Sequence, residues 1–283
     1  MHSITNGVML RLGLVQVGFG NHVDANVHRL LELIRIAADR GAQIVCLPAL
    51  LLTSYFSQAE GSQAKDIADP IPGQMAETLA NTADQLKVVL AGTMFKRTLD
   101  GNKYHSTVAF DANGEMVGKY RNKHFCNRSL SLESFYFSPG DTSIPAWETR
   151  YGKLAVLANG DAWYPEAARM AARAGAEVVI CSTDEAWQSM ESPAAGMKRR
   201  EAWETMLRSH AIANGLFIAA VNRVGEEGDL TFWGRSFVTD PMGAVIGRSD
   251  DQEEVLIVEI DRSCVECVRR EWSFLRYERG VAY

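Results

Sequence analysis

Long apolar runs are missing from this chain. No stretch of its 283 residues approaches the ~18 apolar residues that a membrane-crossing helix needs, so no membrane partner is expected. A basic patch is missing too. Lys+Arg number 29 against Asp+Glu 35, for a formal net charge of −6, and that balance argues against a nucleic-acid partner. Cysteine is sparse: five residues, an odd number at irregular spacing, suit a reducing compartment better than a disulfide framework. The lone CxxC, Cys264-Val265-Glu266-Cys267, has no second pair, and the six histidines are scattered, so no metal site is expected. Gly18-Phe19-Gly20 lacks the rest of a dinucleotide fingerprint, and no cofactor is expected. The opening MHSITNGVMLRLG has no basic head followed by an apolar run. The expectation is therefore a cytoplasmic chain.

What is present is a large apolar fraction, 47% hydrophobic with 9% aromatic, ample for one α/β domain with a real core. Met9 to Val17 alternates as a strand does, Asn26 to Arg40 carries apolar residues at helical spacing, and Ile44 to Leu47 is a continuous apolar run. That order predicts a βαβ unit with parallel strands. Residues 57–72 read as a loop, Gly73 to Leu86 as a helix and Val88 to Thr93 as a strand. Tyr104 to Asp111 and Glu115 to Tyr120 form a hairpin about Asp111-Ala112-Asn113-Gly114. The second half repeats the plan. Ser192 to Asn214 reads as a long helix with Met197, Trp203, Met206, Leu207 and Ile212 on its apolar face, and strands follow at Leu216 to Val221 and Val255 to Ile260.

Between the halves lies the most informative stretch, Lys153 to Cys181. An apolar strand, Leu154 to Ala158, turns through Asn159-Gly160-Asp161 into a helix that Pro165 and Glu166 start and Gly175 closes. A second apolar strand, Val178-Val179-Ile180, follows. Turns of this kind are where α/β folds place reactive side chains.

The segment Asp161-Ala162-Trp163-Tyr164-Pro165-Glu166-Ala167-Ala168-Arg169 resembles the one that follows the nucleophile in the nitrilase superfamily of carbon–nitrogen hydrolases, in the N-carbamoylputrescine amidase-like branch. Further segments resemble the family in the same order. They are Pro48 to Phe56, Gly118 to Phe125, Leu132 to Asp141, and Trp233 through Gly243. The resemblance covers nearly the whole chain and implies a four-layer α-β-β-α sandwich, a single domain over 1–283. It also implies a C-terminal arm at about 262–283 that packs across a homodimer or higher homo-oligomer.

The resemblance also implies a reaction, and here the chain departs from the family. A thiolate attacks the carbonyl, a carboxylate takes its proton, and an ammonium stabilises the oxyanion. The three matching positions read Asn159, Ala49 and Asn122. Lys123 is one residue from the lysine position and would face the opposite way in an extended chain unless a bulge intervened. The family's second glutamate survives as Glu133. Tyr55, His124, Trp163 and Trp187 join Glu133 and Asn159 as expected pocket residues. Loss of one member of such a unit lowers rates by on the order of 10⁴- to 10⁶-fold.

The sequence thus points to a pseudoenzyme whose pocket binds a small molecule bearing an amine or amide, or whose surface serves assembly with a partner. The alternative is an enzyme of altered chemistry that uses Glu133, Asp161 or Lys123 as acid or base. Cys126 and Cys181 are the candidate replacement nucleophiles.

Overall fold

A computed structural model describes residues 9–49, 73–97, 102–125, 127–128, 131–272 and 274–275. The first half runs β1 (Met9–Gln16), α1 (Val23–Asp39), β2 (Ile44–Cys46), α2 (Gln74–Leu86), β3 (Val89–Arg97), β4 (Lys103–Phe110), β5 (Met116–Arg121), a small pair β6 (Asn127–Arg128) and β7 (Ser131–Leu132), and the short helix α3 (Glu133–Tyr136). The second runs β8 (Trp147–Thr149), β9 (Gly152–Ala158), a 3₁₀ turn at Asp161–Trp163, α4 (Pro165–Arg173), β10 (Val178–Ser182), β11 (Ala186–Gln188) and α5 (Pro193–Asn214). It ends with β12 (Phe217–Val221), β13 (Val224–Glu227), β14 (Leu230–Trp233), β15 (Phe237–Thr239), β16 (Val245–Arg248), β17 (Glu254–Asp261) and α6 (Ser263–Glu271).

Two six-stranded sheets result, in the orders β17-β1-β2-β3-β4-β5 and β16-β15-β12-β10-β9-β8. Each has three parallel strands at its heart: β1, β2 and β3 in one, β9, β10 and β12 in the other. Strand alternation builds the layers. On β1, Leu10, Leu12 and Leu14 enter the core between the sheets, whereas Val15, with Val17 just past the strand, joins Leu30, Ile34, Leu79 and Ala83 of the helices outside. Outside the second sheet, α4 presents Ala167, Ala168, Ala171 and Ala172, all buried, so its backbone lies close to the strands. The four-layer sandwich is the architecture observed. Full burial of side chains such as Leu12 and Leu14 contributes about 1.5–3 kcal/mol each.

Some details differ from the sequence reading. The strand expected at Val88 to Thr93 starts at Val89 and runs on to Arg97 as β3, because its hairpin partner β4 continues the ladder as far as the Arg97–Lys103 pair. The last strand, β17, leaves the second half and pairs antiparallel with β1 along its full length, tying the chain's two ends into one sheet. Met197 is 47% exposed and stands off the packed face of α5, which buries Trp203, Leu207, His210 and Ala211 instead. The loop expected at 57–72 lies outside the described residues, as does the arm beyond residue 275; α6 occupies its start and buries Val265. No helix among the described residues is long and apolar enough to cross a membrane.

Candidate functional site

The parallel strands of both sheets end at one place. Asn159, just past β9, donates its backbone N–H to Ser182 O at 3.1 Å. Ala49, past β2 in the other sheet, donates to Thr183 O at 3.2 Å. Ser182 Oγ donates to Leu47 O at 2.8 Å, and Thr183 N–H donates to Val221 O at 2.8 Å. The carboxyl ends of β2, β9, β10 and β12 are thereby stitched across the sandwich. A crevice in that position is where α/β sheets hold ligands.

Three side chains that the sequence singled out sit here, buried. Ala49 is fully buried and apolar. Asn159 is 4% exposed and donates from Nδ2 to Glu133 Oε1 at 3.1 Å; Glu133, at the head of α3, is fully buried. Asn122 follows β5. Its N–H donates to His105 O at 2.9 Å and its carbonyl accepts from Gly140 N–H at 2.8 Å, so the backbone is clamped on both sides. Neither Asn122 Nδ2 nor Oδ1, nor Asn159 Oδ1, has a hydrogen-bond partner among the described residues. A buried amide left in that state costs about 1–3 kcal/mol unless something polar meets it.

Asp161 organises the rim. Fully buried, it accepts from Tyr120 Oη at 3.0 Å, Lys123 N–H at 3.3 Å and His124 N–H at 3.0 Å, and contacts His124 Nδ1 at 2.6 Å. Both oxygens are engaged in holding the segment after β5, so this carboxylate is a strut rather than a base open to a ligand. Burial, then the Asp161 charge, push the Tyr120 phenol well above its usual range and keep it a donor. Gly160 is required by the same closeness: a Cβ there would lie 2.2 Å from His124 O. His124 stacks on Tyr164 with ring centroids 3.8 Å apart.

Lys123 is half-buried while its neighbour Asn122 is buried, as alternation predicts. The register shift in the β4–β5 pair falls between Ala109 and Phe110, at the other end of the strands, and does not re-aim Lys123. Cys181, one of the two candidate replacement nucleophiles, is poorly placed for that role. It is fully buried in the core, and desolvation pushes its thiol up to about 12. Tyr55 and Cys126 lie outside the described residues.

Trp163 donates from Nε1 to Glu185 Oε1 at 2.6 Å, and Trp187 packs on Trp233 with centroids 5.8 Å apart and against Gly196. Sequence reasoning passed over Glu185, Asn222 and His105. Asn222 is a hub: its Oδ1 accepts from Glu185 N–H at 2.7 Å, and its Nδ2 donates to Glu185 O at 3.0 Å and Gly234 O at 3.2 Å. The signal was available. Thr183 to Glu185 and Asn222 are polar residues that directly follow fully buried strands, at the ends that face the crevice.

Two six-stranded sheets closed by helices, with Asn159 and Glu133 buried together where parallel strands end, define the class by architecture as an α-β-β-α sandwich. The chain belongs to the carbon–nitrogen hydrolase family, the nitrilase superfamily, whose profile matches residues 11–270. It is 31% identical to the N-carbamoylputrescine amidase of Solanum lycopersicum, over 97% of this chain and 94% of that protein. It is likewise 31% identical to the citrullinase of Francisella tularensis, over 97% and 96% of the two chains. The crystal structure of a carbon–nitrogen hydrolase from Helicobacter pylori G27 superposes with a TM-score of 0.91 at 33% identity, covering 96% of each chain.

Proposed function

We propose that this protein binds a small molecule through an uncharged amide or urea group and does not hydrolyse it by the thiol route of its family. The reading rests on taking Ala49, Asn122 and Asn159 as the positions of the family's carboxylate, ammonium and thiol. Alanine accepts no proton, a carboxamide is no nucleophile near neutral pH, and Asn122 brings hydrogen bonds without charge. The observation that carries it is the set of buried amide atoms on Asn122 and Asn159 left without partners among the described residues, with Asn159 hydrogen-bonded to Glu133. Such a set is satisfied by a ligand with its own donors and acceptors.

The names of the similar proteins fit this chemistry. N-carbamoylputrescine and citrulline each carry a terminal urea on an alkyl chain. Calorimetric titration with both, together with simple amides, tests the reading. Saturable binding without product supports it, and absence of binding to every urea and amide overturns it.

A second reading keeps catalysis and assigns acid–base work to Glu133, the one carboxylate in hydrogen-bond contact with Asn159 among the described residues. Product formation that survives alkylation of every cysteine and is lost in Glu133→Gln would favour it. The homodimer that the family resemblance implies is part of the proposal and is read directly by sedimentation equilibrium.

A further inference from the structure

The first sheet holds a buried polar side chain outside every family motif read from the sequence. His105 is on β4, where Ser106 pairs with Arg121 and Thr107 with Tyr120. One step further His105 O accepts from Asn122 N–H at 2.9 Å, so His105 and Asn122 stand opposite each other and share a face. It is the inner face, since Tyr120, two residues before Asn122, lies in the core between the sheets. Thr107, two residues from His105, projects the same way.

All three are buried: His105 and Asn122 at 1% exposure and Thr107 at 0%. His105 Nδ1 and Nε2, Asn122 Oδ1 and Nδ2, and Thr107 Oγ1 have no hydrogen-bond partner among the described residues. One face of a rigid hairpin therefore carries five buried polar atoms in this state. At about 1–3 kcal/mol each, a dry, empty arrangement would be a heavy burden on a marginally stable fold. Something polar belongs there.

The geometry says of what kind. The His105 ring stacks on Phe137, with centroids 5.4 Å apart, and Phe137 meets Phe95 edge-on at 4.9 Å, so the ring orientation is set by aromatic neighbours. Phe137 N–H donates to Glu133 O at 2.9 Å, which ties this wall to the carboxylate beside Asn159. Burial pushes the imidazole down to about 3, so it is neutral at physiological pH, with one donor and one acceptor nitrogen. Asn122 and Thr107 also offer both roles. A carboxylate brings no donor to such a set and an ammonium no acceptor, whereas the planar head of a urea or carboxamide brings both.

We propose that His105, with Asn122 and Thr107, forms the inner end of the pocket and hydrogen-bonds the urea or amide head of the ligand directly. This rests on the reading above that the pocket holds such a ligand.

The test compares the full-length wild type with His105→Phe, which keeps a flat ring against Phe137, and His105→Gln, which keeps a donor and an acceptor. Titration with N-carbamoylputrescine and citrulline is expected to show at least about tenfold weaker binding in the phenylalanine variant, the loss of one to two hydrogen bonds, and near-wild-type binding in the glutamine variant. Thermal melting without ligand is expected to be unchanged or higher in His105→Phe, because the orphaned nitrogens are gone; a histidine kept only for packing would not pair stable folding with lost binding. Equal affinity of His105→Phe and wild type overturns the proposal. If wild type binds neither probe nor any simple amide, the ligand reading fails, and a crystal structure of the unliganded protein decides the subsite separately. Ordered water within about 3 Å of both His105 and Asn122 supports a polar site, and ring nitrogens paired to protein atoms overturn it.

Discussion

Lowering the pH should destabilise this protein through His105, and the size of the effect follows from its surroundings. The ring is buried at 1% exposure and desolvation lowers its pKa from 6.5 to about 3. In the unfolded chain the same imidazole titrates near its ordinary value. Below that value the unfolded state takes up a proton that the folded state refuses, so stability falls as pH falls from about 6.5 towards 3. Each pH unit across this window removes about 1.4 kcal/mol, or about 2 kcal/mol by pH 5 and about 5 kcal/mol at most. His210 is also lowered, first by burial, and adds a loss of the same sign.

Urea unfolding at pH 7.5 and pH 5, for wild type and His105→Phe, isolates the His105 share. The phenylalanine variant should lose about 2 kcal/mol less on acidification than wild type. Equal acid sensitivity of the two proteins would refute the reasoning, because it would mean that His105 is solvated or charged in the native state.

Replacing Asp161 with asparagine should cost about 3 kcal/mol, since one carboxylate now satisfies Tyr120 and the backbone N–H groups of Lys123 and His124; thermal melting reads the loss. Gly160→Ala should cost about 1–3 kcal/mol and weaken ligand binding, because its Cβ would press on His124 O and move the rim; a variant as stable as wild type would show that the segment yields freely. Alkylation of the native protein followed by peptide mapping should label the exposed Cys264 and Cys267 and spare the buried Cys46 and Cys181. Desolvation raises both buried thiols, and rapid selective labelling of Cys181 would restore it as a nucleophile.

The layers were legible because the apolar runs of β2, β9 and β10 are buried on both faces and the helices between them keep their spacing. Capping chemistry placed α4 correctly at Pro165, and the hairpin turn at Gly114 has the positive φ of 80° that only a glycine adopts easily. Long-range pairing was not legible. Nothing local in Val255 to Ile260 says that the strand returns to β1, since register is set by the sheet it joins. The site divided in the same way. Glu133, Asn159 and Asn122 were found through motif resemblance, and the structure brings Asn159 to Glu133 at 3.1 Å. His105 and Asn222 escaped because a polar residue inside or just after a strand reads as solvent-facing until the opposite face is known to be covered. Asp161 was read as an acid or base; its engagement by four groups of the β5 segment emerges only in three dimensions.

Turnover is the most direct measurement of the central claim. The purified chain is incubated with carbamoyl amines, ω-amides and nitriles, and ammonia release is followed alongside ligand binding. The account predicts saturable binding of urea- or amide-bearing compounds with no ammonia above background. Ammonia release at the rates of an ordinary amidase, through an acyl intermediate trapped on a cysteine, would contradict it.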